Sequence, residues 1–355
     1  MTVLRQHAEE ACAHELERLA ELDGPRPPGW QLTPVAVRTF LMGGQLADGF
    51  DIQAKYIGEA RRIEVAIATL ATDRALLLEG EPGTGKSWVS EHLAAAVCGD
   101  STLLVQGTAG TDENALRYGW NYARLLAEGP SRSAMVESPV MVAMRTGSIA
   151  RIEELTRIPA DVQDALLGAL SEKAIPVPEL GIEVQAEQGF NLIATANTRD
   201  QGVNRLSSAL RRRFAVVSLP PPATQEEEVR IVSTRLAALA PLAGASASEP
   251  PMAQVERVVT VFRELRRGES DDGRAVKKPS GTLSAAEAIG VLSQGWTRAV
   301  YYGGGELTAE HLADGVVASA VRDERDATAV RDYVTTVLAE RDGWQAWAEA
   351  LLQRL

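Results

Sequence analysis

Apolar positions near the start of the chain recur at Leu4, Ala8, Cys12, Leu16 and Leu19. This is close to the helical period, and it predicts one amphipathic helix over residues 2–22 that stops before Gly24-Pro25 and Pro27-Pro28. Residues 33–71 read as further helices, ending in the apolar stripe Ile63, Ile67 and Leu70. The texture then changes. ALLLEG at 75–80, TLLVQG at 102–107, SIARIEEL at 148–155 and FNLIATAN at 190–197 are short apolar runs, most of them closed by Gly, Glu or Asn. Continuous apolar runs separated by helical stretches predict an α/β fold with buried parallel strands. After Leu219 and the prolines 220–222 the helical period takes over, with helices predicted at about 224–240, 252–267, 282–299 and 308–322. Val330, Tyr333, Val334 and Val337 form one further apolar face; Trp344, Trp347 and Leu351, across a break at Gly343, form another. Both faces are expected to pack on the preceding helices, with a partner-docking surface as the alternative reading of the two tryptophans. GASASEPP at 244–251 and GESDDGRAVKKPSG at 268–281 read as loops. The pattern divides the chain into a helical N-terminal extension (1–50), an α/β core (51–222) and a helical region (223–355).

Composition narrows what such a chain can do. Its 355 residues suffice for about two domains. With 45% hydrophobic and 24% charged residues it is an ordinary globular composition. A net charge of −12 disfavours nucleic acid as a partner, and 5% aromatic residues disfavour a base-stacking surface. Cys12 and Cys98 are far apart and belong to no C-x-x-C pair, which fits a reducing compartment and two small apolar side chains. Cys12 and His14 would point to different faces of a helix, against a metal site there. Acidic residues stand where a signal peptide has its apolar core, and no apolar run spans a bilayer, so a cytoplasmic protein is expected.

The chemistry is concentrated in Gly80-Glu81-Pro82-Gly83-Thr84-Gly85-Lys86-Ser87, which fits G-x-x-x-x-G-K-[ST] without a mismatch. It follows an apolar strand and opens the helical run SWVSEHLAAAV, as a phosphate-binding loop requires. The glycines let backbone N–H groups turn toward a phosphate, Lys86 carries charge to the β/γ-phosphates, and the Ser87 hydroxyl is a ligand for Mg²⁺. Glu153 and Glu154 end another predicted strand. Consecutive side chains at a strand end diverge, so Glu153 can face the metal while Glu154 faces the γ-phosphate. Asn197 ends the strand FNLIATAN, where its amide can bond the γ-phosphate or the attacking water. Arg211, Arg212 and Arg213 precede Phe214 and have the character of an arginine finger.

Together these residues resemble an AAA+ ATPase of the MoxR-type group, a P-loop core with a parallel sheet followed by an all-helical lid. The resemblance runs from about Tyr56 to Ala237. Tyr56-Ile57-Gly58 is similar to the element that touches adenine, and GEPGTGKS to the Walker A loop. Ile149 to Glu154 resembles Walker B, with Glu153 where Asp is usual and Glu154 in the catalytic position. Asn197 matches sensor 1, and LSSALRRRF matches the arginine-finger segment, through Arg212 or Arg213. ELTRIPADVQDALLGALSEKAIPVPE is similar to the family's helix followed by a β-hairpin, and residues 118–147 to its insertion in the second helix. Tyr118, Trp120 and Tyr122 in that insertion suit a short packed hairpin, with pore-side aromatics as the alternative. The sensor 2 arginine is not matched: Thr282 holds its position, and Lys277 and Lys278 are the nearest cations.

The resemblance implies ATP and Mg²⁺ as cofactors, assembly into a homo-oligomeric ring of six, and action on a protein partner, commonly one with a von Willebrand A-type domain. The expectation is an ATP-hydrolysing ring ATPase that remodels a partner in a chaperone-like way. Two alternatives stand beside it. One is a nucleotide-gated scaffold with negligible hydrolysis, motivated by Glu153 and the missing arginine. The other is a DNA-directed NTP motor, because ALRRRF also resembles restriction-type GTPases of the same clade.

Overall fold

The computed structural model describes residues 5–197, 204–239 and 251–355. It divides into two compact units, one of residues 1–81 and 85–219 and one of residues 82–84 and 220–355. The first is built on five strands: β1 (Ala75–Gly80), β2 (Leu104–Gln106), β3 (Ile149–Glu153), β4 (Asn191–Asn197) and β5 (Phe214–Ser218). They lie in the order β5-β1-β4-β3-β2, and every neighbouring pair is parallel. The run ALLLEG is continuously apolar because β1 is buried on both faces. Leu76 and Leu78 join the core shared with Phe40, Ile63 and Leu93, whereas Ala75 and Leu77 join the core of Met141, Ile152 and Leu192.

Sequence periodicity did not anticipate β5. Phe214–Ser218 is an edge strand with a partly exposed face; its apolar run, Phe214–Val217, is as long as Ala75–Leu78 but stands directly between three arginines and the polar Ser218.

The N-terminal residues fall in the first unit, where Leu19, Trp30, Leu32 and Phe40 share a core with β1. The single helix expected over residues 2–22 is two helices, Ala8–Ala11 and Ala13–Ala20; Leu4 lies outside the described residues. Cys12 leaves helical geometry at φ −113°, ψ 21°. The two pieces are tied to different partners: Glu9 accepts from the Ser101 amide, whereas Glu15 is ion-paired with Lys55 and accepts from the Gln53 amide. Cys12 and Cys98 are free and partly buried against the same core. Residues 33–71 are likewise not all helix. Pro34–Met42, capped by the Thr33 hydroxyl, and Ala60–Leu70 flank a small antiparallel pair, Gly44–Gln45 with Asp51–Ile52.

In the insertion, Tyr118–Trp120 pairs antiparallel with Met135–Glu137. Tyr118 is buried and donates to Glu179 at 2.9 Å, and its ring meets Trp120 edge-on at 6.0 Å. Tyr122 does not continue this alternation: it begins the helix Tyr122–Glu128 and is exposed. Downstream of β3, short helical turns lead to the hairpin Ala174–Val177 with Ile182–Gln185.

The second unit is helical: Gln225–Leu239, Met252–Arg267, Ala285–Tyr302, Ala309–Ala320, Glu324–Tyr333 running on through the π-turn Val334–Leu338, and Gln345–Leu352. The segment 240–250, and with it most of the first predicted loop, lies outside the described residues. Val330, Tyr333, Val334, Val337, Trp347 and Leu351 are all buried in one core with Phe262, Leu292 and Leu312. That leaves Trp344 partly buried on its rim, so both C-terminal faces pack inward. Among the described residues no helix is long and apolar enough to cross a membrane.

Candidate nucleotide site

β1 ends at Gly80, and the helix Lys86–Cys98 begins after Gly85. Two glycines make the turn possible. Gly83 and Gly85 adopt φ of 78° and 81°, a region that residues with a Cβ rarely enter. Gly85 is the N-cap, so the first amides of the helix point into the loop formed by Gly80, Glu81, Pro82, Gly83 and Thr84. The Lys86 ammonium donates to the carbonyls of Gly80 at 3.1 Å and Glu81 at 2.8 Å, which places its charge inside the turn. Ile57 and Gly58 follow Lys55, whose carbonyl accepts from Trp88 Nε1 at 2.9 Å, so this segment is tied to the helix that starts at the phosphate loop.

Ser87 and Glu153 meet across the sheet. The Ser87 hydroxyl donates to Glu153 Oε2 at 2.6 Å, the Thr195 hydroxyl donates to the same oxygen at 2.7 Å, and the Ser90 hydroxyl donates to Oε1. Arg151 completes the set from two residues back on the same face of β3, donating to Oε1 at 2.9 Å. A hydroxyl and a carboxylate side by side are an all-oxygen donor pair, the ligand type that suits Mg²⁺. These residues therefore fit that ion.

Glu154 follows in the left-handed conformation at φ 55°, ψ 47°. For a residue with a Cβ this stores about 1–3 kcal/mol of strain. Its amide donates to Thr195 Oγ1 at 3.0 Å, and its carboxylate is ion-paired with Arg157. The adjacent carboxylates therefore have different partners, Arg157 for Glu154 and Ser87, Ser90, Arg151 and Thr195 for Glu153. Asn197, the last residue of β4, is in register with Gly80, the first residue of the phosphate loop. The sheet thus brings the loop, both glutamates and Asn197 to the carboxyl ends of neighbouring strands, where ligands bind in open parallel sheets.

The three arginines separate by environment. Arg211 lies 3.5 Å from the Glu79 carboxylate. Arg213 donates to Ser171 Oγ at 2.8 Å and to the Ala209 carbonyl at 3.4 Å. Arg212 is exposed; its carbonyl accepts from Arg74 at 3.2 Å and its amide donates to the Ser208 carbonyl at 3.4 Å. In the helical unit, Thr282 bonds the Glu287 carboxylate at 2.9 Å and Lys277 pairs with Asp332 at 2.8 Å.

Four site residues escaped the sequence reading: Ser90, Gly107, Arg151 and Thr195. Arg151 carried a signal, an arginine in an otherwise apolar strand two positions before Glu153. Thr195 and Ser90 are polar positions in apolar runs and carried a weaker one. Gly107 sits after β2, where its amide donates to the Glu153 carbonyl at 2.7 Å.

Residues 75–214 match the AAA domain (dynein-related subfamily), and residues 226–354 match the YehL-like AAA+ ATPase C-terminal domain. The chain is 39% identical over 345 residues to the protein YehL of Escherichia coli strain K12, covering 95% of this chain and 94% of that one. Among solved structures it is similar to NtrX from Brucella abortus in complex with ATP (14% identity, TM-score 0.47, covering 75% of this chain and 56% of that one). It is also similar to the RuvB Holliday junction branch migration motor of Thermotoga maritima (17% identity, TM-score 0.45, covering 84% and 80%).

Proposed function

The chain belongs to the YehL-like family of AAA+ ATPases, and on that premise we propose that it binds ATP with Mg²⁺ and hydrolyses it. The observation that carries this reading is the 2.6 Å contact of Ser87 with Glu153, with Glu154 at the next residue in the left-handed conformation. In this mechanism the loop amides and Lys86 hold the phosphates, and Ile57-Gly58 contacts the base. Ser87 and Glu153 hold the ion, which neutralises charge on the phosphate oxygens when bound. Glu154 takes up the proton of the attacking water, Asn197 orients that water, and Arg212 or Arg213 stabilises transition-state charge on a neighbouring subunit's nucleotide.

We propose further that the protein works as a MoxR-type homo-oligomeric ring, of six subunits, in the cytoplasm. Its substrate in this reading is a protein partner, one with a von Willebrand A-type domain, that the ring remodels in a chaperone-like way. The acidic charge of −12 favours a protein over a nucleic acid as the target. The test is Glu154→Gln, for which ATP binding is expected to persist while steady-state hydrolysis is lost; unchanged turnover would remove Glu154 from the mechanism. A second reading, a nucleotide-gated scaffold, draws on the ion pair that engages the Glu154 carboxylate with Arg157. Single-turnover hydrolysis by the assembled protein separates the two, since a scaffold hydrolyses at the uncatalysed rate.

A further inference from the structure

Arg151 is a charged residue in the least probable place for one. It lies in the middle of β3, only 4% exposed, on the face that carries Ile149 and packs against the helix Lys86–Cys98. A guanidinium costs several kcal/mol to bury unless it is paired and its donors are satisfied. Here it is paired, and each of its three nitrogens donates. Nε donates to Ser90 Oγ at 3.1 Å, Nη1 to the Ser101 carbonyl at 2.9 Å, and Nη2 to the Ser87 carbonyl at 3.2 Å and Glu153 Oε1 at 2.9 Å. Two of these four contacts are with the residues that flank the metal position, and a third, Ser90, itself donates to Glu153 Oε1.

The result is a division of labour between the two oxygens of Glu153. Oε1 is held by Arg151 and Ser90, on the buried side. Oε2 is left to Ser87 and Thr195, on the side of the phosphate loop. A glutamate is one methylene longer than the aspartate usual at such a position, and has one more torsion to fix. Anchoring Oε1 fixes that torsion and delivers Oε2 beside the Ser87 hydroxyl. We propose that Arg151 is a positioning residue for the metal site, an internal clamp that makes a glutamate at position 153 serviceable as a Mg²⁺ ligand. This inference rests on the nucleotide-site reading above. Partners that orient a ligating carboxylate govern metal affinity without touching the ion.

The clamp is tested on the full chain by titrating Mg²⁺ against binding of a fluorescent mant-ATP, including a metal-free point in chelator. Arg151→Lys keeps the buried positive charge and loses the fork, so a change reports orientation and not electrostatic repulsion. The half-saturating Mg²⁺ concentration is expected to rise about tenfold, with metal-free nucleotide affinity within about twofold of wild type. An unshifted Mg²⁺ requirement, or an equal loss with and without metal, overturns the clamp. If circular dichroism shows Arg151→Lys unfolded, Ser90→Ala decides. It removes the hydroxyl shared by Arg151 Nε and Glu153 Oε1, and a rise of about threefold in the Mg²⁺ requirement supports the clamp while no rise overturns it. A wild-type chain that binds mant-ATP with no Mg²⁺ dependence overturns the clamp and leaves nucleotide binding standing. One that binds no nucleotide at all overturns both.

Discussion

The Thr195 hydroxyl accepts a hydrogen bond from the amide of Glu154 at 3.0 Å, across the gap between β4 and the end of β3. The same hydroxyl donates to Glu153 Oε2 at 2.7 Å. One buried side chain on the neighbouring strand thus fixes the left-handed turn at Glu154 and one oxygen of Glu153 together. Replacing it with valine keeps the shape and removes both bonds. Thr195→Val is expected to cost about 1–3 kcal/mol in chemical denaturation, since the Glu154 amide loses its partner. ATP turnover is expected to fall by about tenfold or more, because small displacements of a reacting group are expensive. Turnover equal to wild type would show that the Glu154 turn does not depend on this bond.

Gly107 is packed against the backbone of the same turn. A Cβ there would lie 2.5 Å from the Glu154 carbonyl oxygen and 2.8 Å from that of Glu153. Both obstacles are main-chain atoms, so neither can swing aside. Gly107→Ala is expected to destabilise the chain by about 1–3 kcal/mol and to displace the turn. Thermal denaturation and steady-state hydrolysis should fall together, whereas Gly110→Ala, where the nearest atom is the Thr108 hydroxyl at 3.9 Å, should leave both unchanged.

Arg212 and Arg213 differ in what already holds them. Arg213 is engaged by Ser171 and Ala209, whereas the Arg212 side chain is exposed and donates no hydrogen bond among the described residues. Arg212→Ala is therefore expected to lower ATPase activity by about 10³-fold with nucleotide affinity retained, as loss of an arginine finger does. Arg213→Ala should act mainly on stability. Mixing Arg212→Ala with Glu154→Gln subunits is expected to restore part of the activity, because each interface of one orientation then holds an intact glutamate and an intact arginine. No recovery on mixing would place the arginine in its own subunit's site.

In the helical unit, the Tyr333 hydroxyl donates to the buried Glu264, which also takes Arg341 at 2.6 Å and the Asp271 amide at 2.8 Å. Burial, reinforced by the negative Glu264, pushes the Tyr333 phenol well above its usual 10. A phenol raised in the folded state contributes stability in full below its unfolded value near 10, and that contribution is lost as pH rises through the folded value. Tyr333→Phe is expected to cost about 1–3 kcal/mol at neutral pH and to flatten the loss of stability above pH 10, followed by urea denaturation across pH.

Much of the site was legible before folding because its chemistry is local. The loop Gly80–Ser87 needs eight consecutive residues, and its glycines, lysine and serine are recognisable by type and spacing alone. The inner strands were legible for a related reason: burial on both faces leaves an unbroken apolar run, as in Ala75–Leu78. Edge strand β5 carries a run of the same length, Phe214–Val217, but on a partly exposed face and directly after three arginines. The break at Cys12 depends on what Glu9 and Glu15 reach in space, and the short pair at residues 44–52 is too brief for any period to reveal it.

By itself, then, the sequence determined the phosphate loop, the glutamate pair, the four apolar strands between residues 75 and 197 and the helical faces after residue 222, since each is written in neighbouring or periodic residues. Only the tertiary structure decided which oxygen of Glu153 faces Ser87, that Thr195 bonds the turn at Glu154, that Gly107 leaves no room beside it, and that Arg151 is buried in the sheet with its guanidinium on Glu153. Those relations arise from strand order β5-β1-β4-β3-β2, which places residues tens of positions apart within hydrogen-bonding distance. The physical reason is range: periodicity reports what a residue's own segment buries, whereas a carboxylate's orientation is set by whichever donors the neighbouring strands and helix bring to it.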